Sequence, residues 1–523
     1  MIAVSCAAAR SIDAATSAEY GISEVDLVKK AGSLIAEKLR AFLKSPIVLL
    51  AGAGNNAADA MCAADCLLRG HFWKPDELTV VLRSEKEKET LVSVQMNVSP
   101  FGQHLRALAE KGISILVWDG VKGEAARLIT ESALIIDGLT GTGLKGTPRG
   151  VIAEMITFVN ALRHDGRERR VVAIDMPSGL SDDALDRSLI LHANVTVAVE
   201  PIKECLYRPF SRTLAGRIIP VFGIFPSALL NERSYTNIFD FPSAALRIPP
   251  VPQDAYKHRR GTVEIHAGSV GATGAAKLAV RGAAAAGAGL IRVIADADTW
   301  PILAASESGA MVKNGEQNHG DSAPADTYVI GPGWGVSDDR RKTLRRLLDT
   351  DASFVLDADA IRMLASTERD MPKLFSGKVI ITPHPGEFSI FAGCPKNETD
   401  INPDPILLKT AAERNVVILF KGHVMRVAAP DGRIAYIDGV EPILAVGGSG
   451  DVLTGLTAGI AARTYKMAVE SNTAYDPFPV AVAAAALLIE AGKKAHLERG
   501  FCDPSEFAFF AGKIACDAWI KDT

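Results

Sequence analysis

Short apolar runs of strand length recur from residue 46 to about 225 and alternate with helix-length segments. In order they are PIVLLAG, LTVVLRS, ISILVWD, ALIIDGL, VVAIDMP, NVTVAVE and GRIIPVFGI. Strands separated in this way predict a parallel sheet covered by helices on both faces. Ahead of them, residues 23–44 open on Ser23 and carry Leu27, Ala31, Leu34, Ile35 and Leu39 at helical spacing, so a helix is expected to pack before the first strand. Between about 226 and 255 the pattern lapses into PSALLNERSYTNIFDFPSAALRIPPVPQD, whose five prolines and weak periodicity read as a linker. The alternation then resumes with TVEIHAG, LIRVIAD, TYVIGPG, SFVLDAD, KVIITPH, VVILFKG and HVMRVAA, followed by Ala-rich helices at 451–463 and 479–497. Two α/β domains are expected, over 1–227 and 240–523, with no internal repeat between them.

Composition narrows this only slightly. A chain of 523 residues exceeds one ordinary core, which agrees with two domains. A formal net charge of -4 with no recurring Lys/Arg block argues against nucleic acid as a partner. No apolar run reaches the length of a membrane span, and the start lacks a basic segment followed by a long apolar one, so neither a membrane nor a signal peptide is expected. Seven cysteines scattered from Cys6 to Cys516 without C-x-x-C pairs predict reduced thiols and a cytoplasmic protein. Cys62 and Cys66 lie one helical turn apart, where buried small side chains are the better reading than a metal site.

The stretch LLAGAGNNAADAMCAADCLL (49–68) is the first with candidate chemistry. Gly52, Gly54 and Ala57 satisfy the loose dinucleotide fingerprint, but the next strand ends in Arg83-Ser84 and offers no acidic residue for a ribose. Asn55 and Asn56 at a strand-to-helix turn suit a polar ligand or a cation, while an Asn-rich turn leading into a helix N-cap is an equally good reading of this stretch alone. In the second half, AVGGSGDVLTGLTAGI sets Gly447, Gly448 and Gly450 directly ahead of a helix with Asp451 in its first turn. Freed backbone amides and the helix dipole suit a phosphate that gains charge during transfer, and Asp451 beside them is placed to deprotonate an attacking hydroxyl. Lys421-Gly422 follows a strand, where the ammonium reaches a nucleotide phosphate or lies on the surface. His384 sits between two prolines with Glu387 three residues on. Asp357 and Asp359 end a strand and would be costly to leave without a ligand, a cation or amide donors.

Six ordered motifs of the second half, GTVEIHAGSVGATGAAKLAVRGAAAAGAGLIRV, VIGPGWG, VLDADAI, ITPHPGEF, the KG at 421 and GGSGDVLTG, resemble the ADP/ATP-dependent NAD(P)H-hydrate dehydratases of the ribokinase-like superfamily. GAGNNAAD, IIDGLTGTGLKGTPRG, AIDMPSG and the run ending in Lys203 resemble the NAD(P)H-hydrate epimerase domain. Together they look like the bifunctional nicotinamide-nucleotide repair enzymes, in which the dinucleotide is the damaged substrate and no hydride moves. The resemblance implies an N-terminal Rossmann-like three-layer parallel sheet and a C-terminal ribokinase-like α/β domain. It also implies a homo-oligomer acting on the hydrates NADHX and NADPHX with an adenine nucleotide.

Carried over by position, it implies that Asn55, Asn56, Ala57, Ala58 and Asp59 touch the hydrate, with Asp175 acting near the ring. Asn56, Asp137 and Ser178 would hold K+, and the loop Gly141, Thr142, Gly143, Leu144, Lys145, Gly146 and Thr147 would embrace the substrate phosphates. From the residues alone, Asp137 and Asp175 read as turn-capping strand ends. In the second domain, Ala276, Gly335, His384 and Asp451 would surround the hydrate, with Asp451 as base. Lys421, Gly422, His423, Val424, Met425 and Gly450 would hold ADP or ATP with Mg2+.

Three departures from the family pattern stand out. Ala57, Ala58 and Ala60 replace glycines, Met425 replaces a threonine, and Glu441 stands where an asparagine is usual. A carboxylate at 441 would repel nucleotide phosphates unless a cation offsets it. The competing readings are a ribokinase-like small-molecule kinase, which shares the glycine loop and the aspartate base, and an N-terminal half that has lapsed into a binding module.

Overall fold

A computed structural model describes residues 1–91, 99–233, 236–315, 323–365 and 376–520. The chain divides into two compact units, Met1–Thr236 and Asn237–Thr523.

The seven expected strands of the first unit are all present: β1 Ile47–Ala51, β2 Leu78–Leu82, β3 Ser114–Val117, β4 Leu134–Gly138, β5 Arg170–Ile174, β6 Val195–Val199 and β7 Arg217–Val221. They form one sheet in the order β3-β2-β1-β4-β5-β6-β7, every pair parallel. This is the Rossmann order extended by one strand, with its topological switch between β1 and β4. Side chains alternate across the sheet. Ile47, Leu49 and Ala51 enter the core formed with helices α2 (Glu24–Leu39) and α3 (Asn55–Arg69), whereas Val48 and Leu50 enter the core on the opposite face with Trp118 and Ile156. Burial on both faces explains why these strands read as continuous apolar runs. Helix α1 (Cys6–Tyr20) precedes them, and a short strand Ile2–Val4 pairs in parallel with Ile202–Lys203.

The second unit has β8 Thr262–His266, β9 Leu290–Ala295, β10 Met311–Asn314, β11 Thr327–Ile330, β12 Ser353–Leu356, β13 Val379–Ile381, β14 Val417–Phe420, β15 Val424–Ala428 and β16 Ile434–Asp438. Their order is β10-β9-β8-β11-β12-β13-β14-β15-β16, parallel up to β14 and antiparallel in the last two pairings. β10 and β16 are additional to the strands expected from the sequence. Helices α4 (Thr273–Ala285), α5 (Pro385–Ala392), α6 (Ser449–Glu470), α7 (Pro477–Arg499) and α8 (Pro504–Trp519) matter below. α6 and α7 are longer than the Ala-rich stretches suggested. Glycine lets α6 approach α4 closely: a Cβ at Gly455 would lie 2.2 Å from Ala279 O, and one at Gly282 would lie 2.4 Å from Val452 O.

The expected linker is not structureless. It contains helices Ser227–Arg233 and Phe241–Ala245 and strand Thr236–Ile238, elements too short to show periodicity in a sequence window. Among the described residues no helix is long and apolar enough to cross a membrane.

Candidate functional site

In the first unit a cavity of about 820 Å3 opens where the chain leaves the carboxyl ends of β1, β4 and β6, with α1 contributing Arg10 and Asp13 to its lining. α3 begins directly after the glycine turn, behind Gly54 and without a side-chain cap, so its first amides are free for a ligand. Asn55, Asn56, Ala57 and Asp59 line the cavity. Asn55 Nδ2 donates to Glu24 Oε1 at 2.6 Å, and Asn56 Nδ2 donates to Thr140 O at 2.7 Å. Asn56 Oδ1 is buried and accepts no hydrogen bond.

Asp137, the penultimate residue of β4, is wholly buried behind this wall. Its Oδ1 accepts from Ser178 Oγ at 2.5 Å and from Leu139 N at 3.2 Å, while Oδ2 accepts from Ser178 N at 2.8 Å. Burial raises its carboxyl to about 6 against the pull of these hydrogen bonds. Thr140 N in turn donates to Ser178 Oγ at 2.9 Å, tying together the turns after β4 and β5.

Asp175, the residue after β5, has φ 64, a left-handed backbone that costs a non-glycine residue about 1–2 kcal/mol. It is held there from several sides. Asp175 N donates to Val197 O at 2.8 Å, and Oδ1 accepts from Lys203 Nζ at 2.6 Å and Val199 N at 3.2 Å. Around this buried pair stand two more carboxyls. Burial pushes Asp13 up to about 6 and Asp59 well above the usual carboxylate range, with Asp175 reinforcing both shifts and Lys203 opposing them. One ammonium thus serves three carboxyl groups, two of which burial raises above the usual carboxylate range.

Of the loop expected on the substrate phosphates, Gly141, Thr142, Gly143 and Leu144 line the cavity, and Arg10 Nη1 donates to Thr142 O. Lys145, Gly146 and Thr147 lie outside the lining, as does Ala58, which is fully buried in α3. Ala57, Ala58 and Ala60 all have helical backbone in α3 and no exposed surface, so none occupies a position that requires glycine for its φ. Sequence reading missed Asp13, Arg10 and Glu24, which precede the first strand and belong to no motif. It named Lys203 only as the end of a run.

In the second unit Asp451 stands in the first turn of α6, whose N-cap Gly448 has φ 101 and supplies no side chain. Burial raises the Asp451 carboxyl to about 6; Asp357 adds to the shift and Lys421 opposes it. Lys421 Nζ donates to Asp357 Oδ1 at 2.8 Å and lies 3.9 Å from Glu387 Oε2, while Thr454 Oγ1 donates to Asp357 Oδ2 at 2.8 Å. The strand-end aspartates therefore have partners, since Asp359 Oδ2 also accepts from Gly335 N at 2.7 Å. Gly335 has φ 81.

His384 is the N-cap of α5. Its Nδ1 accepts from Gly386 N at 3.0 Å and Glu387 N at 3.3 Å, which places any single ring proton on Nε2. Half its side chain is exposed, so it combines a capping role with access to a ligand. Ala276 is fully buried, packed beneath Gly268.

Beside this cluster lies a cavity of about 370 Å3 lined by Lys421, Gly422, His423, Met425 and Gly450, with an apolar wall that includes Leu453 and Leu488. Val424 is not part of the lining, because strand alternation turns it to the other face from Met425. Glu441 also lines the cavity, and its Oε1 accepts from His496 Nδ1 at 2.7 Å. The partner of this carboxylate is a histidine on α7, far away in sequence.

The family model described as NAD(P)H-hydrate dehydratase matches residues 263–508, and that described as YjeF-related protein N-terminus matches residues 24–205. The bifunctional NAD(P)H-hydrate repair enzyme Nnr of Hyperthermus butylicus is 30% identical over 511 residues, covering 93% of this chain and 87% of its own. Its counterpart from Moorella thermoacetica is 27% identical over 493 residues, covering 90% of this chain and 89% of its own. A solved structure, the ADP/ATP-dependent NAD(P)H-hydrate dehydratase from Bacillus subtilis co-crystallised with ATP/Mg2+, is 24% identical and covers 53% of this chain and 97% of that one, with a TM-score of 0.46.

Proposed function

Because the chain belongs to the bifunctional NAD(P)H-hydrate repair enzymes, we propose that its N-terminal unit interconverts the R and S hydrates of NADH and NADPH. Its C-terminal unit dehydrates the S form at the expense of ADP or ATP, giving AMP or ADP and phosphate. One observation carries the reading: each unit opens a cavity at the carboxyl edge of its own sheet in which a lysine is paired with a strand-end aspartate, Lys203 with Asp175 at 2.6 Å and Lys421 with Asp357 at 2.8 Å.

In the dehydratase, Asp451 takes the proton of the ring hydroxyl as its oxygen attacks the terminal phosphoryl group. The amides of the 447–450 turn and Lys421 receive the charge that develops. The hydroxyl, a poor leaving group, then departs as phosphate, and loss of a neighbouring proton restores the dihydronicotinamide double bond. Mg2+ arriving with the nucleotide supplies further positive charge at the phosphates. The apolar 370 Å3 cavity suits the adenine, with Glu441 hydrogen-bonded to His496 at its edge.

In the epimerase, inversion at the carbon bearing the hydroxyl needs that hydroxyl to leave as water and return on the other face. Asp59, whose carboxyl burial pushes well above the usual carboxylate range, is placed to supply the proton, and Asp175, fixed by Lys203, faces the ring. Asn56, Asp137 and Ser178 fit K+: Asn56 Oδ1 is buried with no hydrogen-bond partner beside a buried carboxylate and hydroxyl, a donor set for a hard cation. Bound there, K+ would supply positive charge near the substrate phosphates.

The test is incubation of the full chain with mixed hydrate epimers and ADP or ATP, following the return of dihydronicotinamide absorbance. Complete conversion is expected. Conversion that stops at the S fraction would remove the epimerase half of the reading, and a phosphorylated product that persists would favour a small-molecule kinase.

A further inference from the structure

Away from the cavity, the first unit brings two thiols and a carboxylate from three separate segments to one point. Cys6 opens α1, Asp182 lies in the loop after Ser178, and Cys205 sits in the helical turn Glu204–Tyr207. One ligand atom from each lies within 4.8 Å of the other two, and both cysteines are buried. None of the three lines the cavity. We propose that Cys6, Asp182 and Cys205 form a site for a thiophilic divalent cation, with zinc the chemical archetype, which fastens the start of α1 to the segment that carries Lys203.

Three observations support this. The sulfur-to-sulfur distance is 3.8 Å, and two thiolates bound at about 2.3 Å in tetrahedral geometry stand about 3.8 Å apart. A disulfide would require the sulfurs to close to about 2.05 Å. Asp182 Oδ1 is buried and accepts no hydrogen bond, and its nearest cation, Arg208 Nη2, is 3.9 Å away. A thiol-to-thiol hydrogen bond accounts for the cysteines and leaves that oxygen unexplained, whereas a third metal ligand accounts for it. The charges also close. Two thiolates and a carboxylate carry three negative charges, balanced by a divalent cation and the Arg208 guanidinium. On binding, the two thiol protons pass to solvent and three protein bonds to the metal form, with the fourth position left to water.

The consequence lies in what the two cysteines adjoin. Arg10 and Asp13 of α1 line the cavity one and two turns beyond Cys6, and Lys203 lies two residues before Cys205. The same two segments are also tied by the two-residue parallel pairing of Ala3 with Ile202 and Val4 with Lys203. A metal clamp would thus position the lysine and one carboxyl of the cavity without touching the substrate.

The experiment uses the full chain, purified under reducing conditions, stripped with a chelator and titrated with Co2+ and Zn2+. One equivalent of Co2+ with thiolate charge-transfer bands and tetrahedral visible bands is expected, displaced by one equivalent of Zn2+ and lost in Cys6→Ser and in Cys205→Ser. Asp182→Asn should keep the thiolate bands and weaken binding by about 10–100-fold. Zinc should raise the melting temperature of the wild-type chain and leave that of folded Cys6→Ser unchanged. Absence of thiolate bands in the wild type would overturn the proposal. So would bands that persist in Cys6→Ser, or recovery of the untreated chain with Cys6 and Cys205 joined as a disulfide.

Discussion

The two units start a helix at a glycine turn in the same way and use it differently. α3 and α6 both begin behind a glycine with no side-chain cap, so each presents unpaired amides at the carboxyl edge of a parallel sheet. In the first unit the turn carries the carboxamides Asn55 and Asn56, and the carboxyls gathered around Lys203 come from three places: α1, the second turn of α3 and the end of β5. In the second unit the acid is in the helix itself, since Asp451 shares the first turn with the amides. The difference follows the chemistry. A reaction that moves a phosphoryl group benefits from base and anion cradle on one rigid element, whereas a reaction that only exchanges water at a ring needs proton carriers on several sides of the substrate.

The contrast predicts a sharp separation of activities. Asp451→Asn should lower nucleotide-dependent dehydration by on the order of 10²–10⁴ and leave hydrate epimerisation in the same sample unchanged. Equal loss of both in a folded variant would break the comparison. The raised Asp451 carboxyl adds a pH signature. Because the base must be ionised, dehydration kcat/KM should fall as pH drops through about 6. The linked effect on stability has the opposite sense. A carboxyl raised from 3.8 to about 6 binds its proton more tightly in the folded state, so its ionisation destabilises the fold fully above pH 6 and not at all below pH 3.8. The inactive Asp451→Asn chain should therefore melt higher than wild type at pH 7.5, and no higher near pH 3.8.

Removing the ammonium that serves three carboxyls tests the first unit in the same spirit. Lys203 and Asp175 form a buried pair, with side chains 4% and 12% exposed. Lys203→Met leaves Asp175 in its left-handed backbone without its cation, and breaking such a pair costs about 3–5 kcal/mol. Calorimetry of the full chain should show the transition assigned to the first unit moving down while that of the second stays. Epimerisation should fall and dehydration of pure S hydrate should not.

How far the sequence reached depended on the kind of signal. Strands buried on both faces read as unbroken apolar runs, so β1 to β7 were all legible. β10 and β16 were not: MVKN and IAYID are short, and β16 follows a tight turn in an antiparallel hairpin, a local arrangement that alternation of strands and helices does not announce. α8 has its signals, Asp503 as N-cap and Pro504 at the first position, but lies beyond the last recognisable motif. In the sites, residues at strand ends were visible because position itself is evidence. Asp13 lies in the middle of a helix, and His496 is 55 residues from Glu441; nothing local marks either. Ala276 and Val424 were carried over from motifs, and neither lines the two cavities described above.

A smaller effect is expected at the nucleotide cavity. His496→Ala removes the partner of Glu441 and leaves a largely buried carboxylate facing incoming phosphates. The pair is partly solvated, with His496 58% exposed, so the change should stay within about 1 kcal/mol, or up to about fivefold in the KM for ADP or ATP, with kcat little altered. The double variant with Glu441→Asn should restore the wild-type KM. A KM unmoved by His496→Ala would show that the carboxylate never needed an offset.

The smallest effect on activity is expected at Ala57, Ala58 and Ala60, where the family pattern has glycine. Their helical backbone removes one of the two reasons that would have made alanine intolerable, since none has positive φ; the other is close approach of the ligand. Alanine is instead the better helix former by about 1 kcal/mol per position, and all three methyls are fully buried. The wild-type chain is therefore expected to epimerise without help. Changing all three to glycine should destabilise the first unit by about 3 kcal/mol. Only Ala57 lines the cavity, so any effect of these positions on the substrate arises there. Ala57→Gly alone should lower the epimerase KM, Ala58→Gly and Ala60→Gly should leave it unchanged, and kcat should stay the same in all three. The measurement is epimer interconversion in the absence of nucleotide, followed by chromatography. A wild-type rate no faster than buffer, with activity emerging only in the triple-glycine chain, would show that the alanines have silenced this site and that helical backbone was not the property the glycines served.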